Sequence, residues 1–174
     1  MIKYLTLFIL FLNCTQYPIM KKNNDVIRLY QKPVNASCFT DSDYHVIGYE
    51  WNNSNPDSII LYVGGFGIDN ITSVEFINND ITIRHKFKLD DKTIYSGCIS
   101  IKKYIIHYDQ FNKIMNADMT EMRIETINNR NTVTHFGNGE FGTMASNKFD
   151  RFNYIVNPLR KRSGKYERIV DCIP

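Results

Sequence analysis

The sequence predicts a mainly β protein, an antiparallel sandwich or barrel carrying one or two short helices. Short apolar stretches recur along the chain, and clusters of Asn, Asp, Gly and Ser separate them. The segment from Ile81 to Leu89 alternates cleanly, with Ile81, Ile83, His85, Phe87 and Leu89 on one side and Thr82, Arg84, Lys86 and Lys88 on the other. That is the pattern of an antiparallel strand with one solvated face. Helical periods are few and do not alternate with the strands, which argues against a doubly wound parallel sheet.

Val26 to Tyr30 reads as the first strand, stopped by Pro33. Tyr44 to Trp51 puts His45, Ile47, Tyr49 and Trp51 on one face, and the Asn- and Pro-rich run Asn52 to Asp57 is a loop. Ser58 to Val63 has an unbroken apolar run, the mark of a central strand covered on both faces. Gly64-Gly65-Phe66-Gly67 breaks it. Ser73 to Ile77 pairs with the Ile81 strand around Asn78-Asn79-Asp80. Asp90-Asp91-Lys92 turns again, and Thr93 to Tyr95 and Cys98 to Tyr108 continue the strands.

Asp109 is a good N-cap, and Phe111, Ile114 and Met115 share a helical face, so a short helix spans Asp109 to Asn116. Met122 to Ile127 and Thr132 to Phe136 form a second hairpin. Phe149, Phe152, Ile155 and Val156 have helical spacing over Asn147 to Val156, with a strand from Arg151 as the alternative, and Asn157-Pro158 ends the element. Tyr166 to Cys172 reads as a closing strand.

With 43% hydrophobic and 22% charged residues, the chain has an ordinary globular composition, which excludes disorder for most of its length. One domain is expected over residues 26–174. The net charge of +3 sits in the C-terminal stretch, where Arg160, Lys161, Arg162, Lys165 and Arg168 outnumber Glu167 and Asp171. Such a basic end could touch anionic lipid, polysaccharide or nucleic acid, but a solvated C-terminal turn accounts for it, and an exported protein seldom meets nucleic acid.

Export follows from the first residues. Lys3 precedes the apolar run Tyr4 to Leu12, a charged start and a hydrophobic core of a signal peptide over residues 1–13. The run is about half of the roughly 20 residues a membrane-spanning helix needs. Cys14 follows in the order Leu10-Phe11-Leu12-Asn13-Cys14. This resembles the lipobox of bacterial lipoproteins. Asn13 stands where Gly, Ala or Ser is usual, and Leu-Asn-Cys is similar to the relaxed lipoboxes of spirochaete and some Bacteroidetes lipoproteins. The resemblance implies lipidation of the Cys14 thiol and cleavage before it. Thr15 in place of the inner-membrane retention Asp implies the outer membrane. Thr15 to Asp25 is polar and aperiodic, a tether that could reach roughly 35 Å when extended. The alternative is an ordinary cleaved signal and a freely secreted protein.

Cys38, Cys98 and Cys172 remain after Cys14. Three is odd, so at least one stays free or pairs between chains, and Cys38 with Cys172 is the expected disulfide because chain ends often lie close. No two have zinc spacing. Asp41, Asp43 and His45 are potential metal ligands, but Ca²⁺ prefers oxygen alone and His45 shares a face with Ile47 and Trp51, so no metal is expected.

Gly137-Asn138-Gly139-Glu140-Phe141-Gly142 is a literal G-x-G-x-x-G, but its strand belongs to a hairpin and no acidic partner follows. A glycine-rich surface loop is the reading, and no cofactor is expected. Phe66 and Phe141 are candidates for an exposed contact surface. His107 and Asp109 could share a strand face, as in a hydrolase, yet no Ser or Cys stands in a nucleophile elbow. His135 with Glu140 has no more support, and no catalytic residue is assigned.

Three functional classes follow. The first is an outer-membrane lipoprotein with a noncatalytic domain that binds protein, glycan or lipid. The second is a secreted hydrolase whose site would gather His107, Asp109 or His135 in one pocket. The third is a secreted glycoprotein of a eukaryote or its virus, carrying glycans at Asn35, Asn52 and Asn70, each in an acceptor triplet.

Overall fold

The computed structural model describes residues 18–36, 45–68, 70–128, 131–138 and 143–170, giving the backbone alone for residues 144 and 163–170. Among them the order is β1 (Ile19–Asn23), β2 (Val26–Asn35), β3 (His45–Asn52), β4 (Ser58–Phe66), β5 (Ile71–Ile77), β6 (Thr82–Lys86), β7 (Ile94–Ser96), β8 (Ile99–His107), α1 (Tyr108–Met115), β9 (Thr120–Thr126), β10 (Asn131–Phe136) and α2 (Met144–Val170). The strands form two antiparallel sheets that curl into a sandwich or half-barrel. Sheet A runs β1-β2-β3-β4-β8-β7 and sheet B runs β10-β9-β5-β6.

The alternation along each strand builds the core. Across sheet A, Leu29, Trp51, Ile59 and Ile106 stand in one row. The next row holds Gln31, Tyr49, Leu61 and Tyr104. All eight are buried. Sheet B contributes Val74, Phe76, Met122, Ile124 and Phe136 to the same cluster. The sheets meet where His85 of β6 stacks on Tyr104 of β8, with 4.2 Å between centroids. They meet again where His45 Nε2 lies 3.0 Å from Thr132 Oγ1.

Both helices dock on Tyr49 through their aromatic faces. Its ring lies 5.1 Å from Phe111 of α1 and 4.7 Å from Phe152 of α2. Each such side chain contributes about 1.5–3 kcal/mol by leaving water. Arg160 ties α2 to the β3–β4 loop. Its Nε donates to the Pro56 carbonyl at 3.0 Å, a terminal nitrogen reaches Asp57 at 2.7 Å, and the guanidinium lies 3.8 Å from the Tyr108 ring centre.

The structure corrects several expectations. Ile19–Asn23, read as tether, is a strand paired with β2. Pro33 does not stop β2, because a register irregularity between Gln31 and Val34 absorbs the missing N–H. Gly48 lies against it, where any Cβ would come within 2.7 Å of Pro33 N. Leu89 is 87% exposed and lies past the end of β6, so it does not join the buried side. The outward residues Ile60 and Tyr62 of β4 are only half-buried, so that strand is not fully covered on both faces. The second helix is not short: it spans 27 residues, passes through Pro158, and occupies Tyr166 to Val170 where a closing strand was expected. Pro158 leaves one carbonyl without its helical donor but does not break the element. The contacts of Arg160, one half-turn later, hold that part of the helix in place.

Candidate functional site

The two outward faces of the sandwich differ in chemistry. On sheet B, β9 supplies Glu121, Arg123 and Glu125, β5 supplies Ser73 and Glu75, and β6 supplies Arg84. Arg84 lies 2.6 Å from Glu125, which also accepts from the Ser73 hydroxyl at 2.7 Å. These contacts hold the Glu125 carboxyl below its ordinary range, the Ser73 and Arg84 hydrogen bonds first among the causes. Arg123 pairs with Glu121 and lies 3.6 Å from Glu75. This face is a balanced lattice of ion pairs, the ordinary dress of a solvated sheet.

The outward face of sheet A carries rings and aliphatic side chains instead. Register aligns Ile19, Tyr30, Glu50, Ile60 and Ile105 across five strands. Tyr30 and Tyr62 meet edge to face at 5.6 Å. Tyr62 donates to Glu50 at 3.0 Å, and burial first, then that bond, pushes the Tyr62 hydroxyl well up. Beside them a depression of about 460 Å³ is lined by Tyr30, Pro33, Val46, Tyr62, Ile94 and Ile101, with Lys32 also on its wall. Gly48 and Gly64 put no side chain into it. Both glycines are required by close backbone approach, since a Cβ on Gly64 would fall 1.9 Å from the Ser100 carbonyl oxygen.

The same face of the sheet carries cations, of which Lys32 lines the depression. Lys21, Arg28, Lys32 and Lys103 are exposed on the sheet-A strands. Among the described residues none of the four has an ion-pair partner, and Glu50 is committed to Tyr62. A face of this kind can hold an apolar or aromatic group while attracting negative charge.

Of the residues weighed for catalysis, His107 and Asp109 come together, the imidazole Nδ1 3.8 Å from the carboxylate, while His135 stands apart from them. His107 caps α1, its Nδ1 accepting from the Asp109 N–H at 3.3 Å, and Asp109 faces Arg160 at 3.8 Å. His135 stands on sheet B, 3.3 Å from Glu121. It lines a separate open depression with Asn79, Asp80 and Asp118. His45 is fully buried against Thr132. Gly137 is explained by packing, since a Cβ there would meet the Asp118 carbonyl oxygen at 2.2 Å.

Cys14, Cys38, Cys172, Asp41, Asp43, Glu140 and Phe141 lie outside the described residues, so the lipidation site and the disulfide do too. Cys98 is an exposed free thiol at the start of β8. Phe66 is 55% exposed at the end of β4. Asn52 has a structural task, accepting from the Asn55 N–H at 3.0 Å. Asn70 adopts a positive φ of 53°.

Sequence reasoning missed the sheet-A face. Its signal was present in Tyr30, Gly48, Tyr62, Gly64 and Ile101, but only strand register brings them together. It also missed Lys102, which is buried and donates to the Asp91 carbonyl. No helix among the described residues is long and apolar enough to cross a membrane. Comparison of the chain with protein-family models, with curated proteins and with solved structures gives no match.

Proposed function

We propose that the chain is an exported lipoprotein, anchored by acyl chains on Cys14 in an outer membrane, whose β-sandwich is a noncatalytic binding domain. The observation that carries the binding role is the sheet-A face: tyrosine rings and aliphatic side chains around an open depression with Lys32 on its wall, on a face whose Lys21, Arg28, Lys32 and Lys103 have no ion-pair partner among the described residues. Aromatic side chains held by packing lose little entropy when a partner covers them. Of the groups weighed for hydrolysis, His107 and Asp109 are engaged at the start of α1 and His135 pairs with Glu121 on the other sheet. The anchor rests on the lipobox resemblance ending at Cys14. Several acyl chains would make membrane attachment effectively permanent, since each buried methylene contributes about 0.8 kcal/mol.

The test is the intact mass of the mature protein from native membranes. The expected species begins at Cys14 and carries the added mass of acyl chains. A chain that begins elsewhere without lipid overturns the anchor. A ladder of glycan masses on Asn35, Asn52 or Asn70 would establish a secreted glycoprotein instead.

A further inference from the structure

We propose that the outward face of sheet A rests on the anionic phospholipid headgroups of the membrane that holds the anchor. The inference rests on lipidation at Cys14 and names the partner of the binding face. Its first support is the length of chain available. β1 begins at Ile19 and is the edge strand of sheet A itself. Five residue steps separate Cys14 from Ile19 and span at most about 17 Å. That is half the reach of a tether ending at Asp25, so the sandwich stays within a headgroup layer's distance of the lipid.

The second support is the chemistry of the face nearest that edge. Lys21 on β1 and Arg28 on β2 are register partners, and Ile19 pairs with Tyr30 beside them. Lys32 and Lys103 extend the positive charge across the sheet. Ile105 is 67% exposed and continues the row begun by Ile19 and Tyr30. Tyrosine and aliphatic side chains flanked by Lys and Arg match a membrane interface, where rings sit at headgroup depth and cations meet phosphate. Sheet B offers the reverse: its arginines are already paired with glutamates. The charge asymmetry between the faces therefore selects which one turns towards the bilayer. Each juxtamembrane cation strengthens partitioning roughly fivefold, so three together contribute on the order of a hundredfold.

The experiment uses the mature chain from residue 14 with Cys14→Ser, so that neither the apolar signal run nor an acyl chain masks the face. Flotation is measured with vesicles of phosphatidylcholine alone and with 30% phosphatidylglycerol. The face variant is Lys21→Glu, Arg28→Glu and Lys32→Glu together. A charge-matched control is Lys86→Glu, Lys88→Glu and Lys113→Glu, and far-UV circular dichroism establishes that each is folded. A milder version with Gln at the three face positions keeps the test decisive should the Glu version misfold. The expected result is phosphatidylglycerol-dependent binding that falls on the order of a hundredfold in the face variant and much less in the control. Ile19→Ser with Ile105→Ser should lower vesicle binding several-fold and leave binding to dextran sulfate unchanged. Equal losses in face and control variants overturn the proposal. So does a serine pair that binds vesicles like the parent, because the occupant would then be a soluble anionic polymer. These outcomes are independent of the mass of native material, so a missing lipid and a non-docking face are told apart.

Discussion

Single side chains show how far polar groups enter this interior. Tyr49 and Tyr104 are buried, and neither hydroxyl has a hydrogen-bond partner among the described residues. A buried hydroxyl without a partner costs about 1–3 kcal/mol of desolvation. Tyr104→Phe and Tyr49→Phe should therefore each raise stability by about 1 kcal/mol, read as a higher urea midpoint at unchanged slope. A loss at either position would mean that its hydroxyl is hydrogen-bonded in solution and overturn this account. Stacked on Tyr104, His85 gives a pH-dependent counterpart. Burial holds its imidazole below the ordinary 6.5, and Asp91 draws it part of the way back. The unfolded chain therefore takes up this proton more readily as pH falls through about 6.5. Stability present above that pH is lost below it, down to the lower folded value. His85→Gln should flatten this part of the stability–pH curve. An unchanged slope between pH 7 and 5 would assign the effect to other groups. Little of this was legible in the sequence. Alternation placed His45, Tyr49 and His85 inward correctly, but it also placed Leu89 there, because alternation does not say where a strand ends. Nothing local marks Lys102 as buried, and only the fold supplies the Asp91 carbonyl that satisfies it.

At the scale of elements, backbone proximity decides what the strands tolerate. Gly64 and Gly67 stand three residues apart and are glycine for different reasons. Gly64 lies where a Cβ would meet the Ser100 carbonyl oxygen at 1.9 Å, inside the β4–β8 pairing. Gly67 has φ of +64° and open space around it. Gly67→Ala should cost about 1–2 kcal/mol, the strain of a left-handed residue with a side chain. Gly64→Ala must push two central strands apart and should cost more, about 3 kcal/mol or above, with loss of soluble folded protein as the extreme. Thermal midpoints of the two variants rank them. A Gly64→Ala protein as stable as Gly67→Ala would contradict this account of the ladder. Hairpins and the first helix were legible because their turn residues and apolar spacing are local, although the N-cap is His107 and the expected cap, Asp109, lies in the first turn. β1 was not, since Ile19–Asn23 has no alternation and becomes a strand only by pairing with β2. The continuation of β2 past Pro33 and of α2 past Pro158 was hidden for a related reason. Proline's local cost is visible in the sequence, while the bulge opposite Gly48 and the Arg160 clamp that offset it are tertiary.

For the whole molecule, one cluster of buried side chains joins both sheets and both helices. The mainly β sandwich was legible because turn signals and alternation repeat along the chain. The binding face was not, because its residues come from β1, β2, β3, β4, β7 and β8 and meet only through register. A single continuous core has a consequence for unfolding. Trp51 is the only tryptophan, it is fully buried, and its indole N–H donates to the Pro56 carbonyl at 2.9 Å. It therefore reports on the end of sheet A held by the β3–β4 loop, while far-UV circular dichroism reports on all strands and helices. If the sheets and helices form one cooperative unit, the two signals must trace the same urea transition, with equal midpoints and slopes. Sheet B meets sheet A through contacts such as His85 on Tyr104 and His45 with Thr132, and the helices meet it through Tyr49. None of these groups can leave without exposing part of the same cluster. Coincident curves are the expected result. A Trp51 transition that precedes the loss of secondary structure would divide the sandwich into separately stable parts, with the Arg160 clamp as the first contact to release.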